Sequence, residues 1–246
     1  MTIDICMVTF NRKEYTQNAI EYLNERTKTP FRLFVIDNCS TDGTQDLLNK
    51  FYDEGKVFRW LEVNKNSGIH AAHNIGLGIA KSDYYVSTDN DLYCADLEPD
   101  WLAQMIALME KNPDYGAICC RPQALTGAMH IDENKEVTEF NHVGAHLRVH
   151  RIQATKESGG WLETWDALRN SEDKTISSAL QAKGYKVGYA RDIRCFHEFG
   201  VNWGYKEIKP HDHGHRIPGD EIWPPPENMS RPIEDYNDKT WEVKNG

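Results

Sequence analysis

Several polar side chains follow directly after short apolar runs in the N-terminal part of the chain. They belong to four segments: Thr9-Phe10-Asn11-Arg12, Asp37-Asn38, Asn66-Ser67-Gly68 and Asp89-Asn90-Asp91. Two carboxylates separated by one residue can reach the same divalent cation, and Mg2+ or Mn2+ prefers such hard oxygen ligands. Asp89 and Asp91 therefore predict a metal site, although solvated loop acids and helix caps use the same residue types.

Three features of the C-terminal part could also do chemistry. Glu172 and Asp173 open a stretch of helical periodicity, and on their own they are typical of helix caps, because the helix dipole favours acids there. His197 follows the last apolar run, where a lone histidine is more often structural than a metal ligand. The histidines of segment 211–215 lie in a Pro-flanked stretch and favour a solvated or hydrogen-bonded role over metal binding.

The elements that must position these residues alternate along the first 91 residues. Helical patterns separate four apolar runs, and the predicted strands are Ile3 to Phe10, Phe31 to Ile36, Phe58 to Val63 and Tyr84 to Ser87. This alternation predicts an α/β fold with a mostly parallel central sheet flanked by helices. Ligands of such sheets bind beyond the carboxyl ends of the strands, so the polar segments should meet in one cleft.

The regular alternation of predicted strands and helices ends after Asp91. Helices are predicted from Pro99 to Lys111 and from Glu172 to Lys183, and strands from Tyr115 to Cys120 and from Lys186 to Ala190. Two further runs, Val137 to Phe140 and Ala145 to Val149, predict strands whose order the pattern does not give. Periodicity is lost from about Val201. We expect one domain over residues 1–200, with halves 1–91 and 92–200, and an irregular extension over 201–246.

Composition limits the classes of protein. The 246 residues fit one ordinary domain, and a formal net charge of -10 argues against general attraction to nucleic acid or anionic lipid. No run of about 18 apolar residues occurs and no basic leader precedes Ile3, so we expect a soluble, cytoplasmic protein without a transmembrane segment. The six cysteines show no C-x-x-C spacing, which indicates reduced thiols.

The joint order of the motifs resembles family-two glycosyltransferases of the GT-A fold. The N-terminal matches are the strand-end segments above, with Asp37 continued by Asn38-Cys39-Ser40-Thr41-Asp42-Gly43-Thr44. The C-terminal matches are Gly159-Gly160-Trp161, Glu172-Asp173 and Gly184-Tyr185-Lys186-Val187. The resemblance covers about residues 3 to 200. It implies that residues 1–91 form a nucleotide-sugar half and residues 92–200 an acceptor half. It also implies transfer of a sugar from a nucleotide diphosphate, for which UDP is the expected nucleotide.

The resemblance also implies residue roles on the donor side. Asp37 would accept a hydrogen bond from the base, and the other residues that would contact the nucleotide or diphosphate are Thr9, Asn11, Arg12, Asn66, Gly68, His73, Asn74, Asp89 and Asn90. Family members often carry Arg where this chain has His73. A group that ordinarily titrates near neutrality thus replaces a permanent cation, which puts a diphosphate contact there in doubt.

Metal and acceptor roles follow from the same resemblance. Asp91 would be the principal ligand of Mn2+ or Mg2+, with Asp89 as a ribose or metal contact and His197 as a third ligand. Asp173 would be the base of an inverting transfer and Glu172 the reserve candidate. Two tryptophans would either floor the acceptor site or belong to the core, namely Trp161 and Trp165.

Two other classes of function stay open. A nucleotidyltransferase acting on sugar phosphates shares acidic metal ligands at a strand end, but its usual Gly-rich loop is missing, since Val8 to Arg12 contains no Gly. A non-catalytic module that binds nucleotide sugars is the second alternative, and His73 is the one hint toward it. The acceptor, whether glycan, protein, small molecule or modified base, and the oligomeric state are not predicted.

Overall fold

The computed structural model describes residues 1–122, 130–162 and 172–197, without the side chain of His197. The strands are β1 Ile3–Thr9, β2 Phe31–Asp37, β3 Arg59–Glu62, β4 Tyr84–Asp89, β5 Leu92–Cys94, β6 Tyr115–Pro122, β7 Val137–Glu139, β8 Arg148–Arg151 and β9 Lys186–His197. The helices are α1 Lys13–Arg26, α2 Thr44–Asp53, α3 Gly68–Ile79, α4 Trp101–Lys111, α5 Ile152–Glu157 and α6 Glu172–Ala182.

The strands of the described residues form one sheet in the order β3-β2-β1-β4-β8-β6-β9-β5, with β7 paired to β9. The pairs β3-β2, β2-β1, β1-β4 and β6-β9 are parallel. The pairs β4-β8, β8-β6, β5-β9 and β7-β9 are antiparallel. The predicted α/β class is therefore confirmed, and the sheet is parallel in its first half and mixed in its second.

Most element boundaries lie within a few residues of the predicted ones, and two shifts have clear causes. Helix α4 begins at Trp101 and not at Pro99, because the Asp100 side chain accepts hydrogen bonds from the backbone N–H groups of Leu102 and Ala103 and so caps the helix. Strand β9 extends seven residues beyond Ala190, since it continues along β5 as far as His197.

Apolar side chains cover both faces of the sheet. One cluster joins α1, α2 and α4 to the sheet around Ile5, Phe51 and Trp101, and the other joins α3 and α6 to it around Ile75 and Trp161. This burial on both faces explains why the inner strands are continuous apolar runs. Among the described residues, no helix is both long and apolar enough to cross a bilayer.

The parallel register brings the polar strand ends to one edge. Thr9 pairs with Asp37 across β1 and β2, and Val8 pairs with Asp89 across β1 and β4. The antiparallel pairing of β5 with β9 places Leu92 opposite His197. The carboxyl ends of β1, β2 and β4 thus lie side by side, as the alternating pattern predicts.

Candidate active site

The loop after β2 is organised around the buried carboxylate of Asp37. One of its oxygens accepts hydrogen bonds from the backbone N–H and the hydroxyl of Ser40, and the other accepts one from Nε2 of Gln45 at 2.8 Å. Burial raises the pKa of Asp37 to about 6, against the opposing effect of the Ser40 hydrogen bonds. The residue assigned to base recognition therefore also has a structural task, which is to hold the turn that leads into α2.

The loop after β1 carries two consecutive residues in the left-handed region. Asn11 has φ 56° and Arg12 has φ 61°, a conformation that is unfavourable for residues other than glycine. The Ser40 hydroxyl accepts from the backbone N–H of Asn11 at 2.7 Å, and Asn11 Oδ1 accepts from the backbone N–H of Thr41 at 2.8 Å. These contacts fasten the β1 loop to the β2 loop and aim Arg12 toward β4.

Thr9 and Asn90 belong to a buried polar cluster beneath this loop. The hydroxyls of Thr9 and Thr16 are 2.7 Å apart, and Nδ2 of Asn90 donates to both, at 3.1 Å and 2.9 Å. Thr9 is 1% exposed and Asn90 5% exposed. Their observed contacts lock the ends of β1 and β4 together, so any contact with a nucleotide stays a prediction.

The segment before α3 continues the same edge. Nδ2 of Asn38 donates to Oδ1 of Asn66 at 2.7 Å, and the same oxygen accepts from the backbone N–H of Gly68 at 3.0 Å. Gly68 has φ 82° with open space around the position of a Cβ atom, so its backbone conformation is what requires glycine there. Asn66 and Gly68 thus form the turn at the N-terminus of α3, where backbone N–H groups favour anions.

Asp91 is paired with Arg12 across the site. Nη1 of Arg12 lies 3.2 Å from Oδ2 of Asp91, and both side chains are largely buried. Burial, and next the charge of Asp91, raise the pKa of Asp89 well above its ordinary value. The raised pKa of Asp89 reflects burial and the crowding of two acids at this position, and their oxygens are hard donors of the kind that a divalent cation prefers.

A third ligand is not supplied by the described side chains. Within residues 1–122, 130–162 and 172–197, no three His, Cys, Asp or Glu side chains are grouped in a way that could hold a metal ion. The backbone of His197 lies next to the site because it pairs with Leu92, the residue after Asp91. Its side chain is outside the described set, so its ligand role stays a prediction.

His73 is buried against Trp161. Neither residue is more than 1% exposed, and their rings stack with centroids 4.8 Å apart and planes 20° from parallel. Burial lowers the pKa of His73 to about 4, so the sequence-based expectation of titration near neutrality is wrong for this environment. Neither ring nitrogen has a hydrogen-bond partner in the described part of the chain. A neutral His73 adds no positive charge for a diphosphate.

Asn74 joins the two halves of the domain. Its Nδ2 donates to the backbone carbonyl of Trp161 at 2.8 Å, and its Oδ1 accepts from the backbone N–H of the same residue at 2.9 Å. Both ends of the amide are therefore used for a structural contact. The indole N–H of Trp161 in turn donates to Oε2 of Glu172 at 2.7 Å. Trp161 is thus a core residue, which is the second of the two roles predicted for it, and its indole holds Glu172 in place.

Glu172 and Asp173 share one cation, Arg148. Its Nη2 donates to Oε2 of Glu172 at 2.9 Å and its Nη1 donates to Oδ1 of Asp173 at 3.2 Å. Burial raises the pKa of Glu172, but the charge of Arg148 and the hydrogen bonds with Asp173 and Arg148 together hold it below its ordinary value. Burial and the charge of Glu172 raise the pKa of Asp173. Asp89 also raises the pKa of Asp173. The acids of β4 and α6 therefore belong to one electrostatic site.

Sequence patterns missed Arg148 and His150. Both are fully buried on β8, where they lie on either side of apolar Val149 in the sequence. Polar residues spaced by two on a buried strand share one face, and that spacing is the signal that could have found them. Trp165 and segment 211–215 lie outside the described residues.

Comparisons with known proteins agree with this architecture. The mixed central sheet flanked by helices matches solved glycosyltransferases of the GT-A fold. TarS of S. aureus, in a 1–349 form with UDP-GlcNAc, superposes with a TM-score of 0.64 at 16% identity, over 86% of this chain and 63% of that chain. A mannosyltransferase, PcManGT from Pyrobaculum calidifontis with GDP-Man and Mn2+, gives 0.66 at 20% identity, over 82% and 58%.

The sequence comparison gives the family. The model of glycosyl transferase family 2 matches residues 4–161, and the chain belongs to that family. An uncharacterized glycosyltransferase of Haemophilus influenzae is 30% identical over 110 residues, 45% of this chain and 43% of that protein. The putative teichuronic acid biosynthesis glycosyltransferase TuaG of Bacillus subtilis is 24% identical over 36% of this chain and 35% of that protein. The chain spans about a third of the length of the first curated relatives it matches.

Proposed function

We propose that this chain is an inverting, metal-dependent glycosyltransferase that moves a sugar from a nucleotide diphosphate, UDP in the first instance, to an acceptor hydroxyl. The observation that carries the proposal is the meeting of two acidic groups at the carboxyl edge of the sheet. Asp89 ends β4 and Asp91 follows it in the turn to β5, Glu172 and Asp173 open α6, and the charge of Asp89 adds to the effect of burial in raising the pKa of Asp173.

The donor would lie along the ends of β1, β2 and β4. Gly68 begins a helix whose N-terminal backbone N–H groups can face a diphosphate, and Arg12 lies at the Asp91 side of the same edge. Asp37 would accept from the base. Two structural neighbours were solved in complex with UDP-GlcNAc and with GDP-Man, which supports a nucleoside diphosphate as the recognised group.

The cation site would be formed by Asp89 and Asp91 together with His197. A bound Mn2+ or Mg2+ would offset the negative charge that develops on the departing diphosphate. Arg12 already neutralises part of the Asp91 charge in the protein alone.

Asp173 would act as the base. Its carboxylate is 28% exposed, whereas that of Glu172 is 8% exposed and accepts from both Trp161 and Arg148. A raised pKa makes Asp173 a stronger base than an exposed aspartate. Oδ of Asp173 would take the proton of the acceptor hydroxyl while the acceptor oxygen attacks the anomeric carbon on the face opposite the leaving group. The new glycosidic bond would form as the bond from the anomeric carbon to the nucleoside diphosphate breaks, which gives inversion in a single displacement.

The test separates donor binding from transfer. Asp173→Asn should lower transfer by about 10²-fold or more, the ordinary contribution of a positioned base, and leave donor affinity unchanged. Asp91→Asn should weaken metal-dependent donor binding itself. The matched control is Asp192→Asn, because Asp192 is an exposed acid paired with neighbouring Arg191; it should change neither quantity.

The same assay distinguishes the two alternatives. Consumption of a nucleoside triphosphate and a sugar phosphate would indicate a nucleotidyltransferase. A non-catalytic module would bind a nucleotide sugar in the presence of metal, but the wild type would show no transfer. It would also show no donor hydrolysis that the Asp173→Asn substitution abolishes. Either result would contradict the proposed function.

A further inference from the structure

Arg148 is a fully buried cation in the middle of the sheet. It begins β8, which pairs antiparallel with β4, and its Cα partner is Ser87, two residues before Asp89. Its side chain is 0% exposed. A charged group in such a place is unfavourable unless it is paired and hydrogen-bonded, so its partners indicate its task.

The guanidinium is fixed from its inner side by neutral groups. Nε lies 3.1 Å from Nε2 of His150 and 3.4 Å from the hydroxyl of Ser87. Burial, and next the Arg148 charge, lower the pKa of His150, so its ring is neutral and Nε2 can accept. Nη1 also donates to the backbone carbonyl of Val143 at 3.2 Å. Rotation of the guanidinium plane would break several of these contacts together.

The outer side of the guanidinium carries the two acids. Nη2 is bonded to Glu172 and Nη1 to Asp173, and the guanidinium lies 5.6 Å from the centre of the Trp161 ring. The planar fork of an arginine can hold two carboxylates in a fixed mutual geometry, which a lysine ammonium cannot. Glu172 is anchored a second time by the Trp161 indole N–H, and Asp173 remains the more exposed of the two.

We propose that Arg148 is a positioning residue of the transfer site, whose fixed guanidinium keeps Glu172 as a buried, ionised anchor and presents Asp173 as the acid that exchanges a proton with the acceptor. This inference rests on the proposed function for the identity of the base. It assigns Glu172 an anchoring role and removes it as a candidate base. It also gives a function to Arg148 and His150, the two buried polar residues of β8.

The charges around Asp173 support this division of roles. Burial, and then Glu172 on the same helix and Asp89 on β4, raise the pKa of Asp173, whereas Arg148 on β8 lowers it. Two further titratable groups feel the charge of Asp173, Cys119 on β6 and Tyr189 on β9, and burial raises the pKa of both. Those two groups are therefore neutral at physiological pH, and the charges that act on Asp173 in addition to burial are those of Glu172, Asp89 and Arg148.

Two substitutions test the assignment. Glu172→Gln keeps the shape of the side chain and removes its charge, so the pKa of Asp173 should fall and the rising limb of the pH profile of kcat/KM should move to lower pH. Arg148→Lys keeps a cation and loses the planar guanidinium, so kcat should fall about tenfold or more through lost orientation. The donor KM should stay within about threefold of wild type, and the rising limb of the pH profile should move to higher pH. Arg151→Lys is the matched control: the residue lies on the same strand and bonds to Tyr84 and the Met109 carbonyl.

A second readout does not require turnover. The carboxyl 13C resonance of Asp173, assigned by its absence in Asp173→Asn, can be titrated in wild type, Glu172→Gln, Arg148→Lys and Arg151→Lys. The inference predicts a lower pKa in Glu172→Gln, a higher one in Arg148→Lys and no change in Arg151→Lys. If Arg148→Lys does not fold, the Glu172→Gln titration decides.

The outcomes separate this inference from the proposed function. Loss of transfer in Glu172→Gln with retention in Asp173→Asn would overturn the assignment of the two acids. An Asp173 pKa that is the same in wild type and Glu172→Gln would overturn the positioning role of the Arg148 cluster. Absence of donor binding and transfer in wild type would contradict the proposed function alone, since the titration would still report on Arg148.

Discussion

Asn74 and Trp161 exchange two hydrogen bonds between the side-chain amide of one and the backbone of the other, at 2.8 Å and 2.9 Å. Asn74 lies in α3, which belongs to the half with the β1, β2 and β4 strand ends, and Trp161 precedes the α6 acids. The Trp161 indole then bonds to Glu172. This route joins the predicted donor side of the site to its acceptor side.

Asn74→Ala should destabilise the protein and lower transfer together. The substitution leaves the backbone N–H and carbonyl of Trp161 without the amide, deep in the core, which costs about 1–3 kcal/mol for an unsatisfied buried group. Displacement of Trp161 should also loosen Glu172. Urea unfolding measures the first effect, and kcat of the folded fraction measures the second.

Asn24→Ala is the control for that experiment. The Asn24 amide also bridges two backbone carbonyls, those of Ile20 and Lys56, but at the opposite end of the strands. It should lower the free energy of unfolding and leave kcat unchanged. An equal loss of kcat in both variants would show that the Asn74 effect is only a loss of stability.

Asp37 should make stability depend on pH with a definite sign. Its pKa rises from 3.8 to about 6 on folding, so between about pH 4 and pH 6 the folded state binds more protons than the unfolded state. The free energy of unfolding therefore falls as pH rises through this window. The excess stability of wild type over Asp37→Asn should shrink from pH 4 to pH 6 and be constant above pH 7. An excess that grows with pH would contradict the raised pKa.

Arg12 should compete with a divalent cation for Asp91. Its guanidinium lies 3.2 Å from Asp91 Oδ2, and binding of Mn2+ alone must weaken that pair. Arg12→Met should therefore tighten the binding of free Mn2+, followed by electron paramagnetic resonance, and weaken the binding of a nucleoside diphosphate. Arg32→Met removes an arginine paired to Asp4 and should change neither. Weaker Mn2+ binding in Arg12→Met would contradict the competition.

The sequence allowed the strand ends to be predicted, because apolar runs are local and parallel strands share an edge. Asp37 and Asp89 therefore lie at the same edge of the sheet, as expected. The contacts of Asn74 could not be predicted in this way, since its partner Trp161 is 87 residues away. An Asn that binds a ligand and an Asn that binds backbone groups look the same in the sequence.

The C-terminal half of the chain was harder to predict, because its contacts also join residues that are distant in sequence. Strand β8 begins three residues after the start of the predicted run at Ala145 and pairs antiparallel between β4 and β6. Only that pairing puts Arg148 against Glu172 and Asp173. The burial of an arginine follows from its charged partners, and these lie 24 and 25 residues further along the chain. His73 is a similar case, because its low pKa depends on burial and stacking.

The most direct test of the central claim is calorimetric titration of nucleoside diphosphates and their sugars, UDP and GDP forms first, into the protein with Mn2+ and with a chelator. The account predicts binding that is selective for one nucleotide, requires the metal and is lost in Asp91→Asn but not in Asp173→Asn. Binding that is unaffected by the chelator and by Asp91→Asn, or no binding of any nucleotide, would contradict it.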